Sequence, residues 1–321
     1  MKRLSIAFAI IGLLLGTLLI AWFGAGQVVD SVLSVGWGGF ALVVAWQLVL
    51  FAICGLAWTA VMPEPWRRAW LIIWGRMVRD AATNCLPFSP IGGFLFGGRA
   101  LTLQGVPGSI AAASTIVDVT AEVLAQIAFA ALALILLIAR QPNSTLAIPL
   151  AIGLGVAVLA VGLFFWLQRG AAGIFSRLGR RIAGEWFENA QERMDTLQTE
   201  LNQIYGQTGR LALGFAIHLL GWLGTGVAGW LGFHLLGADI DLDAALIIEG
   251  LLHAAFAVAF MVPANVGVQE AVYAGLGALF QVPPDVSLGV SLLRRARDIA
   301  VGVPILLIWQ LLEMRRLRAP A

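Results

Sequence analysis

Apolar blocks of about 20 or more residues follow one another along this chain, each the length a helix needs to cross a ~30 Å hydrocarbon core. The residues inside the blocks run on without the alternation of a transmembrane β-barrel strand, which excludes that class. With 60% hydrophobic and 12% charged residues among 321, the sequence reads as an all-α, polytopic integral membrane protein forming one membrane domain over 1–321. Full spans are expected at 4–23, 37–62, 107–138, 146–168, 210–236 and 283–313, about six in all. The run at 4–23 is long for a signal peptide and lacks a clear small-x-small cleavage site, so it is read as a retained helix.

Two apolar segments, 69–105 and 244–281, are interrupted by proline and glycine. The breaks are "LPFSPIGG", with Pro87, Pro90, Gly92 and Gly93, and "VPANVG", with Pro263, Asn265 and Gly267. Backbone groups freed at such a break cannot face lipid. Each segment is therefore expected to be a helical hairpin, re-entrant or crossing, buried in protein or lining a cavity.

Charge orients the chain. Lys2, Arg3, Arg67, Arg68, Arg169, Arg177, Arg180, Arg181 and the "MRRLR" run near the C-terminus all fall on one side when these spans alternate. The positive-inside rule then places both termini in the cytoplasm. The cytoplasmic loop 169–209 carries Met194, Leu197, Leu201 and Ile204 at helical spacing and reads as an amphipathic helix lying on the membrane, with docking of a lipid-modifying enzyme partner as the alternative.

The two halves match at a fixed offset of 176 residues without a gap. Pro87 falls on Pro263, Val106-Pro107 on Val282-Pro283, Trp46 on Trp222, Gly38 on Gly214 and Glu122 on Asp298. Repeat A then covers about 34–138 and repeat B about 210–314. Because 37–62 and 210–236 run in opposite directions, the repeats are inverted, an architecture of transporters with a site between the copies.

Charges inside these spans face protein or water, since each costs about 2.5–3.5 kcal/mol at the bilayer centre. Arg294, Arg295, Arg297 and Asp298 cluster near the middle of one span. Asp118 and Glu122 share a face of another, and the offset maps Asp118 onto Arg294. If the copies pack about a pseudo-twofold axis, acids of one helix are expected to meet arginines of the other. Arg79, Asp80, Arg99 and Glu270 join them from the hairpins as a lipid-headgroup or ion-pair cluster. Structural ion pairs account for the same residues equally well. Arg76 and Glu249 are read as headgroup neighbours, and His218 and His234 as packed helix residues. No metal-ligand spacing, nucleophile elbow or nucleotide loop is present, so no cofactor, metal, catalytic residue or nucleic-acid partner is expected.

The stretches "LPFSPIGGFLFGGRALTLQGV", "AAASTIVDVTAEVLAQ" and "VPANVGVQEAVY" resemble the lysylphosphatidylglycerol synthase transmembrane-region family, and within it the hopanoid-biosynthesis-associated membrane proteins. The resemblance covers nearly the whole chain. It implies a flippase-like protein that moves a hopanoid or another anionic or polar-headed membrane lipid. A lipid transferase and a non-transporting assembly factor are the alternatives. The family's large soluble synthase domain has no counterpart before Ala321, so aminoacyl transfer is not expected. Phe94 stands where the family's first motif carries an acid, while Arg99 is kept; the offset places Glu270 opposite Phe94.

Overall fold

The computed structural model describes residues 25–86, 89–141, 148, 151–153, 155–156, 158–159, 162, 184–259 and 267–318. The expected span 4–23, most of 146–168, and the break residues Pro87, Pro263 and Asn265 lie outside that set. The described part is helical, with no strand among its residues.

Helix α1 (Ala25–Val61) is two helices joined at Gly36, whose backbone takes φ 70 and ψ 163. Residues 25–35, expected to be a loop, are helical up to this kink. Glycine reaches that conformation without the Cβ clash other residues meet, so the first helix ends there and the second begins directly after it. Helices α2 (Ala69–Cys85) and α3 (Ser89–Leu103) form the first broken pair. Leu86, preceding a proline in sequence, is extended at φ −111 and ψ 143, as a residue before proline prefers. Gly92 and Gly93 lie inside α3 rather than in the break, and Pro90 is in its first turn, where a missing N–H costs nothing. Gly93 is a packing residue instead. A Cβ there would sit 2.0 Å from Thr83 Oγ1 and 2.8 Å from the Arg79 carbonyl oxygen, so its absence lets α3 return against α2.

Helix α4 (Gly108–Arg140) follows, then α5 (Gly184–Tyr205), α6 (Thr208–Leu235), α7 (Leu242–Val258), α8 (Val268–Leu279) and α9 (Pro284–Arg318). Among the described residues, three helices are long and apolar enough to cross a membrane, at Leu33–Val61, Gly108–Arg140 and Thr208–Leu235. Helix α9 is as long but carries Arg294, Arg295, Arg297 and Asp298 in its interior.

The ends of α3 and α8 are built alike. Gln104 N–H donates to Leu101 O at 2.9 Å and Val106 N–H to the same carbonyl at 3.3 Å; Phe280 and Val282 donate to Gly277 O at 3.0 and 2.9 Å. The residue closing each turn has positive φ, Gly105 at 92 and Gln281 at 60. This is the helix-ending geometry in which a left-handed residue lets late N–H groups reach back to an orphan carbonyl. Pro107 and Pro283 come next, and their carbonyls accept from Ala111 and Ser287 at 2.9 and 3.1 Å as α4 and α9 begin. Every one of these pairs of positions is separated by the 176 residues read from the sequence.

Three packed cores hold the bundle. One joins α4, α6, α7 and α8 around Leu137, Phe233, Ile248, Leu252 and Tyr273. A second joins α1, α2, α3, α4 and α5 around Trp58, Ile72, Leu101 and Val117, and a third packs Phe51 and Val78 against Val301 and Trp309 of α9. The amphipathic helix α5 differs from expectation. Met194 is exposed, but Leu201 and Ile204 are buried in the second core, and Tyr205 Oη donates to Thr120 Oγ1 at 3.4 Å. Its apolar stripe is too well matched by the ends of α1, α2 and α4 to lie free, so this end docks on the bundle.

Candidate functional site

The first cluster is carried by α2, α4 and α6. Arg76 and Arg79 face α4 from adjacent turns of α2, and Asp118 and Glu122 face back from adjacent turns of α4. Arg76 donates from Nη1 and Nη2 to the two oxygens of Glu122 at 2.9 and 2.5 Å, the parallel fork that guanidinium and carboxylate planes allow. Its Nε donates to Asp80 Oδ2 at 2.7 Å. Arg79 donates to Asp118 Oδ2 at 2.6 Å and also to Glu122 Oε2. Asp118 is fully buried, and its other oxygen lies 2.9 Å from His218 Nε2 on α6.

The second cluster is carried by α7, α8 and α9, with the signs exchanged. Here the acid, Glu249, is on α7 and the arginine, Arg294, is on α9; Arg294 Nη1 donates to Glu249 Oε2 at 2.6 Å. Tyr273 Oη of α8 donates to the other oxygen of Glu249, and His253 Nε2 lies 3.3 Å from Arg294 Nη2. Beside it, Arg295 donates from Nε to Glu270 Oε1 at 2.9 Å, and Glu270 also accepts from Gly267 N–H at 2.8 Å and Ser291 Oγ at 3.1 Å. Arg297 pairs with its neighbour Asp298 at 2.8 Å.

The two clusters meet at Trp222 of α6. Its indole N–H donates to the Glu122 carbonyl at 3.1 Å, and its ring lies edge-on to His253 at 4.6 Å between centroids. Gln126 of α4 donates to the His253 carbonyl at 2.9 Å. One hydrogen-bonded path thus runs from α4 to α7.

The expected partnership of Asp118 and Glu122 with the arginines of α9 is corrected. The acids of α4 pair with Arg76 and Arg79, and Arg294 pairs with Glu249, each within its own half. Opposite charges at equivalent positions need not touch; they do so only when those positions lie close to the axis relating the halves. Arg99 is not with the cluster: its half-exposed side chain donates to Glu313 near the end of α9 at 2.6 Å. Phe94 has a definite role without a charge, since the Arg79 guanidinium lies 4.7 Å from its ring centroid. Phe94 and Glu270, at equivalent positions, therefore each receive a guanidinium, one through a ring face and one through a carboxylate.

Arg76, Glu249, His218 and Tyr273 are cluster residues: the sequence reading put the first two at the headgroups, took His218 as a packed helix residue and did not name Tyr273. Spacing could have found several: Arg76–Asp80, Asp118–Glu122 and Glu249–His253 are all i, i+4 pairs, sharing a helix face. Ligand-type atoms of Asp118, Glu122 and His218 lie within 4.8 Å of one another. The carboxylate oxygens already accept from two guanidiniums, and the His218 ring lies against Asp118, so these side chains occupy the positions a metal would need.

The family description of the lysylphosphatidylglycerol synthase TM region matches residues 9–305, and the chain belongs to that family of membrane proteins. No curated protein and no solved structure matches it.

Proposed function

We propose that this member of the family translocates a polar-headed lipid across the bacterial inner membrane, with a hopanoid or hopanoid conjugate as the cargo suggested by its subgroup likeness. The observation that carries the reading is the paired cluster: two sets of buried, ion-paired charges of opposite layout, meeting at Trp222 within apolar helices. Charges in such helices are retained at a cost and mark pathways for polar cargo. A headgroup bearing both hydrogen-bond acceptors and donors can exchange with Arg79–Asp118 and Arg294–Glu249 in turn, while its tail stays in lipid.

The family's name supports a role with lipids, and the equal turns at 101–111 and 277–287 support an ancestral duplication. In our reading the copies are inverted, with both termini cytoplasmic and about six full spans flanking the two broken pairs. Alternating access then follows, because each copy can take the other's conformation. We assign no covalent step. The acids a transferase would use, Asp118, Glu122 and Glu270, are engaged by Arg76, Arg79 and Arg295, which suits recognition better than proton abstraction.

Purified protein reconstituted into vesicles should accelerate leaflet exchange of a labelled hopanoid with a polar side chain over empty vesicles. Phosphatidylglycerol and its lysyl ester are the comparison lipids. No acceleration with any of the three overturns the proposal, and a new covalent lipid product would replace it with the transferase.

A further inference from the structure

The ion-paired charges are not equally balanced from one cluster to the next. Among the described residues, Glu249, Glu270, Asp298 and Glu313 each have an arginine: Arg294, Arg295, Arg297 and Arg99. In the first cluster, three carboxylates, Asp80, Asp118 and Glu122, share two guanidiniums, Arg76 and Arg79. One negative charge is left over in a setting of low dielectric, where an uncompensated ion is strongly disfavoured.

The groups that could compensate it can be named helix by helix. From α1, Cys54 faces the cluster beside His218. From α2 come Arg76, Arg79 and Asp80, and from α4 Asp118 and Glu122. From α7, Glu249 lies against Gly229 of α6 and His253 against Trp222, both held in the second cluster with Arg294 of α9. Among the described residues, His218 is the group at the first cluster able to add positive charge, and it already lies 2.9 Å from Asp118 Oδ1 with its side chain fully buried. A sodium ion would need carboxylate lone pairs converging on open space, and both Glu122 oxygens and both Asp118 oxygens are taken.

We infer that the first cluster is a binding site for a single proton, held between His218 and Asp118 and completing the charge balance of Asp80, Arg76, Arg79 and Glu122. Since His218 is on α6 and Asp118 on α4, the proton strengthens the contact between the two halves of the chain. It gives the protein an ion to which a change in that contact can be coupled.

The test uses the full-length chain in lipid nanodiscs, with isotope-labelled histidine read by NMR through a pH titration. The three histidines are His218, His234 and His253, and the His218 signal is the one lost in His218→Gln. At neutral pH, His218 is expected as imidazolium in the wild type. Asp80→Asn should convert it to neutral imidazole at the same pH, because removing a remote carboxylate balances the cluster without the proton. Glu122→Gln makes the same charge change at a second position, so the result does not hang on one variant folding. A merely structural His218–Asp118 hydrogen bond would be indifferent to Asp80. Neutral His218 in the wild type, an imidazolium unchanged in both variants, or a signal that follows sodium rather than pH would overturn the inference. The readout needs no lipid cargo, so its failure and the failure of translocation are separate results.

Discussion

Arg294 donates to Glu249 at 2.6 Å, and the carboxylate is wholly buried, with its second oxygen taken by Tyr273. Truncating Glu249 leaves a buried guanidinium without its counter-charge, a loss of about 3–5 kcal/mol in comparable buried pairs. Glu249→Ala should lower the thermal unfolding midpoint in detergent markedly. Removing both charges with Glu249→Leu and Arg294→Met should recover much of that loss, because the desolvation penalty disappears with the pair. A double variant no more stable than Glu249→Ala would mean that the pair is not the interaction holding α7 to α9.

That pair also marks where sequence reading stopped. The first helix break and the long apolar helices were legible because proline, glycine and apolar length act locally. Gly105 and Gln281 fall at equivalent turns as the offset requires. Partnership was not legible. The offset sets Glu249 opposite Ile73, so symmetry gave no hint of an acid partner for Arg294. His218 is a lone histidine in an apolar span, and only the packing of α6 on α4 makes it a neighbour of Asp118. Spacing fixes which residues share a face; which face meets which depends on helix packing that one sequence does not encode locally.

The two turns differ in the residue that closes them, Gly105 in one and Gln281 in the other, and the difference should be measurable. Gln281 holds φ 60, a left-handed conformation that costs a side-chain-bearing residue roughly 1 kcal/mol, whereas Gly105 takes φ 92 freely. Gln281→Gly is expected to stabilise the protein by up to about 1 kcal/mol, and Gly105→Ala to destabilise it by a similar amount. Nothing lies within 4 Å of a Cβ built at Gly105, so the effect would report backbone strain rather than a clash. Melting curves for the two variants should move in opposite directions.

Close helix approach predicts a contrast within α1. A Cβ on Gly55 would sit 2.7 Å from Ile73 Cα, a backbone atom of α2 that no rotamer change can move. Gly55→Ala should force α1 and α2 apart and cost about 1–3 kcal/mol, in the range of overpacked cores. Gly38, in the same helix, has nothing within 4 Å of its added Cβ, and alanine there should be neutral or gain up to about 1 kcal/mol of helix propensity. Equal destabilisation by both substitutions would mean that the α1–α2 contact is looser than the geometry requires.

Inversion of the halves can be read from the starts of α4 and α9. Gly108 and Asp285 are exposed, one residue from equivalence across the 176-residue offset, and each follows the same turn. In a background with Cys54 and Cys85 replaced by alanine, Gly108→Cys and Asp285→Cys each place a single thiol there. If the halves are inverted with the N-terminus cytoplasmic, a membrane-impermeant maleimide labels the Asp285 variant in intact spheroplasts. The Gly108 variant should label only after lysis. Labelling of both from one side would make the repeats parallel. A parallel pair could still keep each ion-pair cluster, but exchanging the conformations of its two copies would not move the site's opening from one leaflet to the other.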